Sequence, residues 1–326
     1  MNLIDTAPVY GFGVSEEIVG RALEVAGLRS RAVIATKVGL ESRDGKVYRN
    51  ATRARIMQEI DESLRRLRTD YIDLYWLHAW DTATPVEEVV ATLNDLVREG
   101  KIRHYGLSDT PAWYVARAYT LAEKESKERP IALQLEYSLV ERNIEREHIP
   151  VAQELGLGIC PWSPLASGFL TGKYKRQGED GSGDGRLEKT KDSGNPTLMR
   201  FNPQNWRVLD VLLEVAKEVG RPPALVALNW VATQPGISST IIGASKLAQL
   251  NDNLSSIEFT IPAELRRRLD EAGALASIHP YMFFESFIQG MISGGTAIDA
   301  WKPVRLYRPT QTAESRPAET TERKAS

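Results

Sequence analysis

Short runs of Val, Ile and Leu alternate along this chain with longer stretches in which apolar residues recur every three to four positions. The runs predict strands at Leu3–Asp5, Ala32–Thr36, Ile72–Trp76, Ile102–Leu107, Ala132–Leu135, Gly158–Trp162 and Ser239–Ile242. Near-continuous apolar strands of this kind suit a parallel sheet covered on both faces. Between them the helical spacing is plain. Ile56, Ile60, Leu64 and Leu67 share one face of a helix over Thr52–Leu67. Val86, Val89, Val90, Leu93 and Val97 form the stripe of the next, which Pro85 opens and Gly100 closes. Ser15 with Glu16 and Glu17 starts an earlier helix that Gly27 ends. Further helices are predicted over Pro111–Lys127, Ile144–Leu155, Gln204–Val219, Pro223–Thr233, Gln249–Leu254 and Pro262–Leu275.

Repeated strand-then-helix order means right-handed crossovers and a parallel sheet, either open and doubly wound or closed into a barrel. No G-x-G-x-x-G follows any strand, so the dinucleotide fingerprint of the open sheet is missing. Polar residues instead stand at or just after the strand ends: Asp5, Lys37, His78, Ser108, Gln134 and Ser163. In a barrel the chemistry gathers at that rim. The expected fold is therefore α/β, a TIM-type (β/α)8 barrel. Seven strands are predicted where a barrel has eight, so the first strand and helix are expected to be missing, the chain opening on its second strand. An open barrel would expose strand edges that invite pairing, which leaves a homo-oligomer open.

The barrel is expected to occupy residues 1–301, with a long mobile rim loop at about 175–200 rich in Gly, Asp, Lys and Glu. Residues 302–326 are Pro-, Thr- and charge-rich and read as a disordered polar tail. The net charge of -2 argues against a nucleic-acid groove or an anionic membrane as partner. Cys160 is the one cysteine, so neither an intrachain disulfide nor a cysteine-based zinc site is expected, and inside its strand it reads as buried filler. Met1 leads into a strand pattern without a cationic start, and no apolar run nears the roughly 18 residues of a membrane helix. A cytoplasmic protein without a metal is the expectation.

Four residues stand out by position: Asp5, Tyr10, Lys37 and His78. The predicted strands set Asp5 and Lys37 at neighbouring strand ends, with Tyr10 on the first loop and His78 one strand further on. An ammonium beside a phenol favours its ionised form, and needs a counter-ion of its own, which Asp5 could supply. A carbonyl oxygen between Tyr10 and His78 would meet a general acid and a hydrogen-bond donor. Each residue also has a structural alternative. Asp5 could cap a turn with Thr6, Tyr10 could be a surface aromatic, Lys37 could reach solvent, and His78 could bond Asp81.

The stretches IDTAPVYGFGVSEEIVGRAL, IATKVG, DYIDLYWLHAWD, GKIRHYGLSD, ALQLEYSLVER, PWSPLASGFLTGKY and IIGASKLAQLNDNL, in this order, resemble the signature set of the aldo-keto reductase superfamily. The likeness runs from about Asn2 to about Leu254 and extends to aryl-alcohol dehydrogenases and potassium-channel β subunits. It implies that Tyr10 protonates a carbonyl oxygen, Lys37 assists it, Asp5 pairs with Lys37 and His78 orients the substrate. The implied cofactor is a nicotinamide dinucleotide, NADPH (NADP+) in preference to NADH, with Trp162 on the nicotinamide ring and Ser108 and Gln134 on its carboxamide. Asp109 stands where relatives often carry Asn or Arg. Ser163, Leu165 and Lys173 match positions near the pyrophosphate; Gly243, Ser245, Lys246, Gln249 and Asn253 match the adenosine end, Lys246 offering a charge for a 2′-phosphate. Apart from the resemblance, Trp80, Trp113 and Tyr48 could line the substrate mouth, suiting an aromatic or bulky apolar group on a small carbonyl or alcohol substrate, or could be ordinary packing.

The resemblance implies reversible NADPH-dependent reduction of an aldehyde or ketone. Three alternatives stand beside it: a non-catalytic nicotinamide-binding regulatory subunit, a lyase using Lys37 as a Schiff base, and an inactive truncated remnant.

Overall fold

The computed structural model describes residues 2–43, 46–178, 180–183, 185–190, 193–195 and 198–296; the predicted tail lies outside them. Six parallel strands form the main sheet: β1 (Leu3–Asp5), β2 (Val33–Val38), β5 (Ile72–Leu77), β6 (Ile102–Ser108), β7 (Ala132–Glu136) and β8 (Gly158–Trp162), in that spatial order. The crossovers carry α1 (Val14–Ala26), α2 (Arg53–Leu67), α3 (Val86–Arg98), α4 (Ala112–Lys124) and α5 (His148–Leu155). After β8 come α7 (Pro203–Val219), α8 (Pro223–Ala232), α9 (Leu247–Leu254), α10 (Ala263–Ala272) and α11 (Ser286–Ile292). The predicted helices occur within a few residues of their expected bounds; α11 was not among them.

The sheet's two faces follow from period-two alternation. Ile34, Val38, Tyr75, Leu77, Tyr105, Leu107, Leu133, Leu135 and Ile159 point outward into the main core under the helices. Ala35, Leu74, Trp76, Ala132 and Cys160 point inward and form a second cluster, against which Leu3 and Ile241 pack. First and last segments thus meet around one interior, so the sheet is curled into a partial TIM-type barrel. Trp76 fills the middle of it, and a Cβ on Gly106 of the neighbouring strand would lie 2.3 Å from its ring. Buried Cys160 is filler, its pKa raised to about 12 by burial.

Three expectations need correction. Ser239–Ile242 is not a strand. Ser238 and Ser239 donate backbone N–H groups to the Ile159 carbonyl and Ile241 donates to the Pro161 carbonyl, but Pro161 has no N–H to return. The segment lies along β8 as an irregular extension, and among the described residues no strand links it to β1.

The stretch after β2 folds into an antiparallel hairpin, β3 (Leu40–Arg43) and β4 (Lys46–Arg49), where no strands were expected. The rim segment, expected as a loop, carries short elements among the described residues. β9 (Lys175–Gln177) pairs with β10 (Asp180–Ser182), and Leu187 of α6 (Arg186–Lys189) is buried, its N–H donating to the Tyr174 hydroxyl at 3.1 Å. Among the described residues no helix is long and apolar enough to cross a membrane.

Candidate active site

Lys37 lies at the C-terminal end of β2, in register with Trp76 of β5 and pointing into the barrel. Its side chain has no exposed surface, which is tolerable for an ammonium only with full pairing. The pairing is complete. Nζ donates to Asp5 Oδ2 at 2.5 Å, to the Thr6 carbonyl at 2.9 Å and to the Tyr10 hydroxyl at 3.3 Å. The other oxygen of Asp5 accepts from Gln134 Nε2 at 2.8 Å, a bond that crosses the barrel from β7 to β1. Lys37 is therefore no solvent-seeking strand-end lysine.

Tyr10 rides on the loop between β1 and α1, where Gly11, Phe12 and Gly13 follow one another at positive φ. This run turns the chain sharply enough to bring the hydroxyl back over Lys37 while the ring stays partly exposed. His78 follows β5, its ring 6.0 Å from that of Tyr10 and nearly perpendicular to it. Burial, and then the Lys37 charge, lower its pKa to about 3, so its imidazole is neutral at ordinary pH. Asp81 instead accepts from the Ala51 and Ala83 N–H groups and the Thr84 hydroxyl, which sets aside the Asp81 bond as the reason for His78.

A cavity of about 1120 Å³ opens over these groups along the barrel's C-terminal rim. Its lining takes in Asp5, Tyr10 and His78, then Ser108, Gln134 and Trp162 on β6, β7 and β8. Ser163, Leu165 and Lys173 of the segment after β8 follow, with Gly243, Gln249 and Asn253 in and before α9. Ser245 and Lys246 are not on the wall. Ser245 bonds Gln249 through its N–H and hydroxyl, each at 3.1 Å, and Lys246 is the boundary residue of α9. Ser163, Ala166, Ser167 and Gly168 all take positive φ, folding the wall segment tightly beside the cavity. Trp80 and Trp113 meet edge to face 5.5 Å apart outside its lining, and Tyr48 stands exposed on β4.

Sequence reasoning missed Ser167, Gly168, Arg186 and Leu198 in this wall. The last two come from the rim segment, whose polar composition carries no periodic signal that could have placed them. Asp109, where relatives often differ, accepts from Trp162 Nε1 at 3.1 Å. The cavity leaves its side chain reachable by solvent, yet the crowded walls raise its pKa to about 6 against the pull of Trp162 and Lys37. Glu136, at the end of β7, is raised to about 7 by burial, although Arg200 pairs with it and favours its charge. Among the described residues no His/Cys/Asp/Glu cluster could hold a metal ion.

The donor set fits a nicotinamide dinucleotide. The cavity lining combines apolar and aromatic groups, Leu165 and Trp162 among them, with the hydroxyls of Ser108, Ser163 and Ser167, the amides of Gln134, Gln249 and Asn253, and two cations, Lys173 and Arg186. Gly168 keeps that wall close: a Cβ there would stand 3.1 Å from Lys173 Nζ.

The profile of the Aldo/keto reductase family matches residues 1–274. A rice protein named probable voltage-gated potassium channel subunit beta is 34% identical over 86% of this chain and 84% of its own length. The aldo-keto reductase YhdN of Bacillus subtilis is 35% identical over 77% of this chain and 72% of its own. An aryl-alcohol dehydrogenase [NADP(+)] of Phanerodontia chrysosporium is 31% identical over 87% and 75%.

Proposed function

The chain belongs to the aldo/keto reductase family, and on that premise we propose that it is an oxidoreductase reducing an aldehyde or ketone with NADPH, reversibly. One observation carries the reading. A fully buried Lys37 donates at once to the Asp5 carboxylate and the Tyr10 hydroxyl, both of which line a cavity large enough for cofactor and substrate together.

Tyr10 is the general acid. Its hydroxyl is held by the Lys37 ammonium, whose charge stabilises the phenolate left after proton transfer. Asp5 balances that charge, and Gln134 fixes the carboxylate's second oxygen. His78, being neutral, orients the carbonyl oxygen beside Tyr10 without competing as an acid. Trp162 would offer a flat face to the nicotinamide and Ser108 would bond its carboxamide, while Ser163, Leu165, Lys173, Gly243, Gln249 and Asn253, which line the same cavity, would hold the remainder. When bound, that cofactor supplies the hydride. Ser245 and Lys246, at the outer end, would meet a 2′-phosphate.

The test is a titration with NADPH and NADH followed by tryptophan fluorescence, then a screen of aryl aldehydes. Quenching lost in Trp162→Ala and turnover lost in Tyr10→Phe support the reading; a folded chain that binds neither nucleotide sinks it. A second reading, a nicotinamide-binding subunit that regulates a channel, draws on the name carried by the rice relative. Steady turnover by the purified chain decides against it.

A further inference from the structure

Tyr10 sits on an exposed loop with Phe12 in the left-handed region at φ 55, a conformation that persists only where the surroundings over-determine it. The surroundings do so through groups that never reach the cavity. The hydroxyls of Thr6 and Ser15 share a hydrogen bond of 2.7 Å, tying the end of the loop back to its start. Thr6 is the residue whose carbonyl accepts from Lys37 and whose N–H donates to the Ala35 carbonyl.

One residue on, Glu16 is wholly buried in the first turn of α1. Its Oε1 accepts from the Thr36 hydroxyl at 2.6 Å, and Thr36 is the strand neighbour of Lys37. Its Oε2 accepts from Arg66 Nε at 2.5 Å. The Arg66 stem also packs under the loop, since a Cβ on Gly13 would come 2.9 Å from Arg66 Cδ.

Resting on the reductase reading, we propose that Ser15 and Glu16, backed by Arg66, are positioning residues for Tyr10. They tie the far end of the loop to its start at Thr6 and to β2 at Thr36, and so hold the phenol at hydrogen-bond distance from the ammonium. The loop has few other anchors. Its own backbone bonds are those of a tight turn, Tyr10 N–H to the Ala7 carbonyl, Val14 to Gly11 and Ser15 to Tyr10.

Glu16 variants take one carboxylate from the Arg66 guanidinium, which Glu59 still pairs, and leave the buried Thr36 hydroxyl without its acceptor. Because they disturb several partners at once, the decisive variants are Ser15→Ala, Ser15→Thr and Thr36→Val. Amide hydrogen exchange of residues 6–15 is read alongside kcat for an aryl aldehyde, the NADPH Kd and Tm. Expected for Ser15→Ala and Thr36→Val are faster exchange confined to that loop and a kcat lower by roughly 10- to 100-fold. NADPH affinity should hold within about twofold, because the cofactor walls are elsewhere. Ser15→Thr should restore both exchange and kcat.

Unchanged exchange in Ser15→Ala overturns the proposal. So does wild-type kcat despite a loosened loop, or a parallel loss of kcat, affinity and Tm that Ser15→Thr fails to rescue. Hydrogen exchange needs no substrate. A wild-type chain that binds NADPH but reduces no carbonyl therefore sinks the reductase reading, while the exchange rates still decide whether the loop is pinned.

Discussion

Lys37 and Asp5 form a buried ion pair, 2.5 Å from Nζ to Oδ2, with no exposed surface on the lysine side chain and 8% on the aspartate. A pair in such a place is held together as much by the cost of breaking it as by its own attraction. Asp5→Asn should lower unfolding free energy by about 3 kcal/mol, because it leaves a desolvated ammonium with only neutral acceptors. Adding Lys37→Met should recover part of that loss while abolishing turnover. Urea unfolding of the two variants makes the comparison, and an additive double variant would contradict it.

Tyr10→Phe should behave differently. The hydroxyl is one of the three acceptors of the Lys37 ammonium, but the residue is 43% exposed and water can take its place, so unfolding should move by only about 1 kcal/mol. Carbonyl reduction should fall by roughly 10²- to 10⁴-fold, the usual contribution of a positioned acid. NADPH quenching of tryptophan fluorescence should persist.

His78 ties stability to pH. Its folded pKa of about 3 lies below the ordinary value of 6.5, so the unfolded chain takes up a proton that the native state refuses. The stabilisation is present above the unfolded value and is lost as pH falls from about 6.5 toward 3. Between pH 7 and pH 5 the wild type should lose about 1 to 2 kcal/mol more than His78→Gln. Chemical denaturation at the two pH values reads this, and equal losses would show that His78 is not desolvated.

Asp109 lines the cavity, and burial raises its pKa to about 6. Ionised, it can only accept, as it does from Trp162; neutral, it can also donate, and it no longer repels an anionic cofactor. NADPH should bind severalfold more tightly at pH 5 than at pH 7.5, and Asp109→Asn should flatten that dependence. Affinity that stays constant with pH in the wild type would remove Asp109 from the cofactor's surroundings.

Gly106→Ala would set a methyl 2.3 Å from the Trp76 ring and 2.7 Å from the Ala132 carbonyl oxygen. Overpacking of this kind costs about 1–3 kcal/mol. Trp76→Leu should relieve part of the cost, with the backbone contact to Ala132 setting the remainder. Thermal unfolding of the single and double variants tests the coupling.

Much of this was legible in the chain, and the reason differs from element to element. Ile56, Ile60, Leu64 and Leu67 announce α2 because burial of one helix face imposes its own period. Asp5, Lys37, His78 and Gln134 were legible as strand-end polar residues, because an apolar strand that ends in a charge at a barrel rim is a local pattern. Tyr10, on a loop, became prominent only beside them and through the family resemblance.

What the sequence could not determine depends on which distant groups come within hydrogen-bond reach. Nothing near Gln134 in the chain predicts its bond to Asp5, 129 residues away, and nothing near Arg66 predicts that it props the loop of Tyr10. The loss of Ser239–Ile242 as a strand rests on one missing N–H, that of Pro161, whose importance appears only once the two segments lie side by side. The sequence determined which residues prefer strand, helix or rim, because those preferences are set by burial and local backbone geometry. The tertiary structure alone decided which charges are paired and how far each is desolvated, because both depend on neighbours that the chain brings together only when the barrel curls.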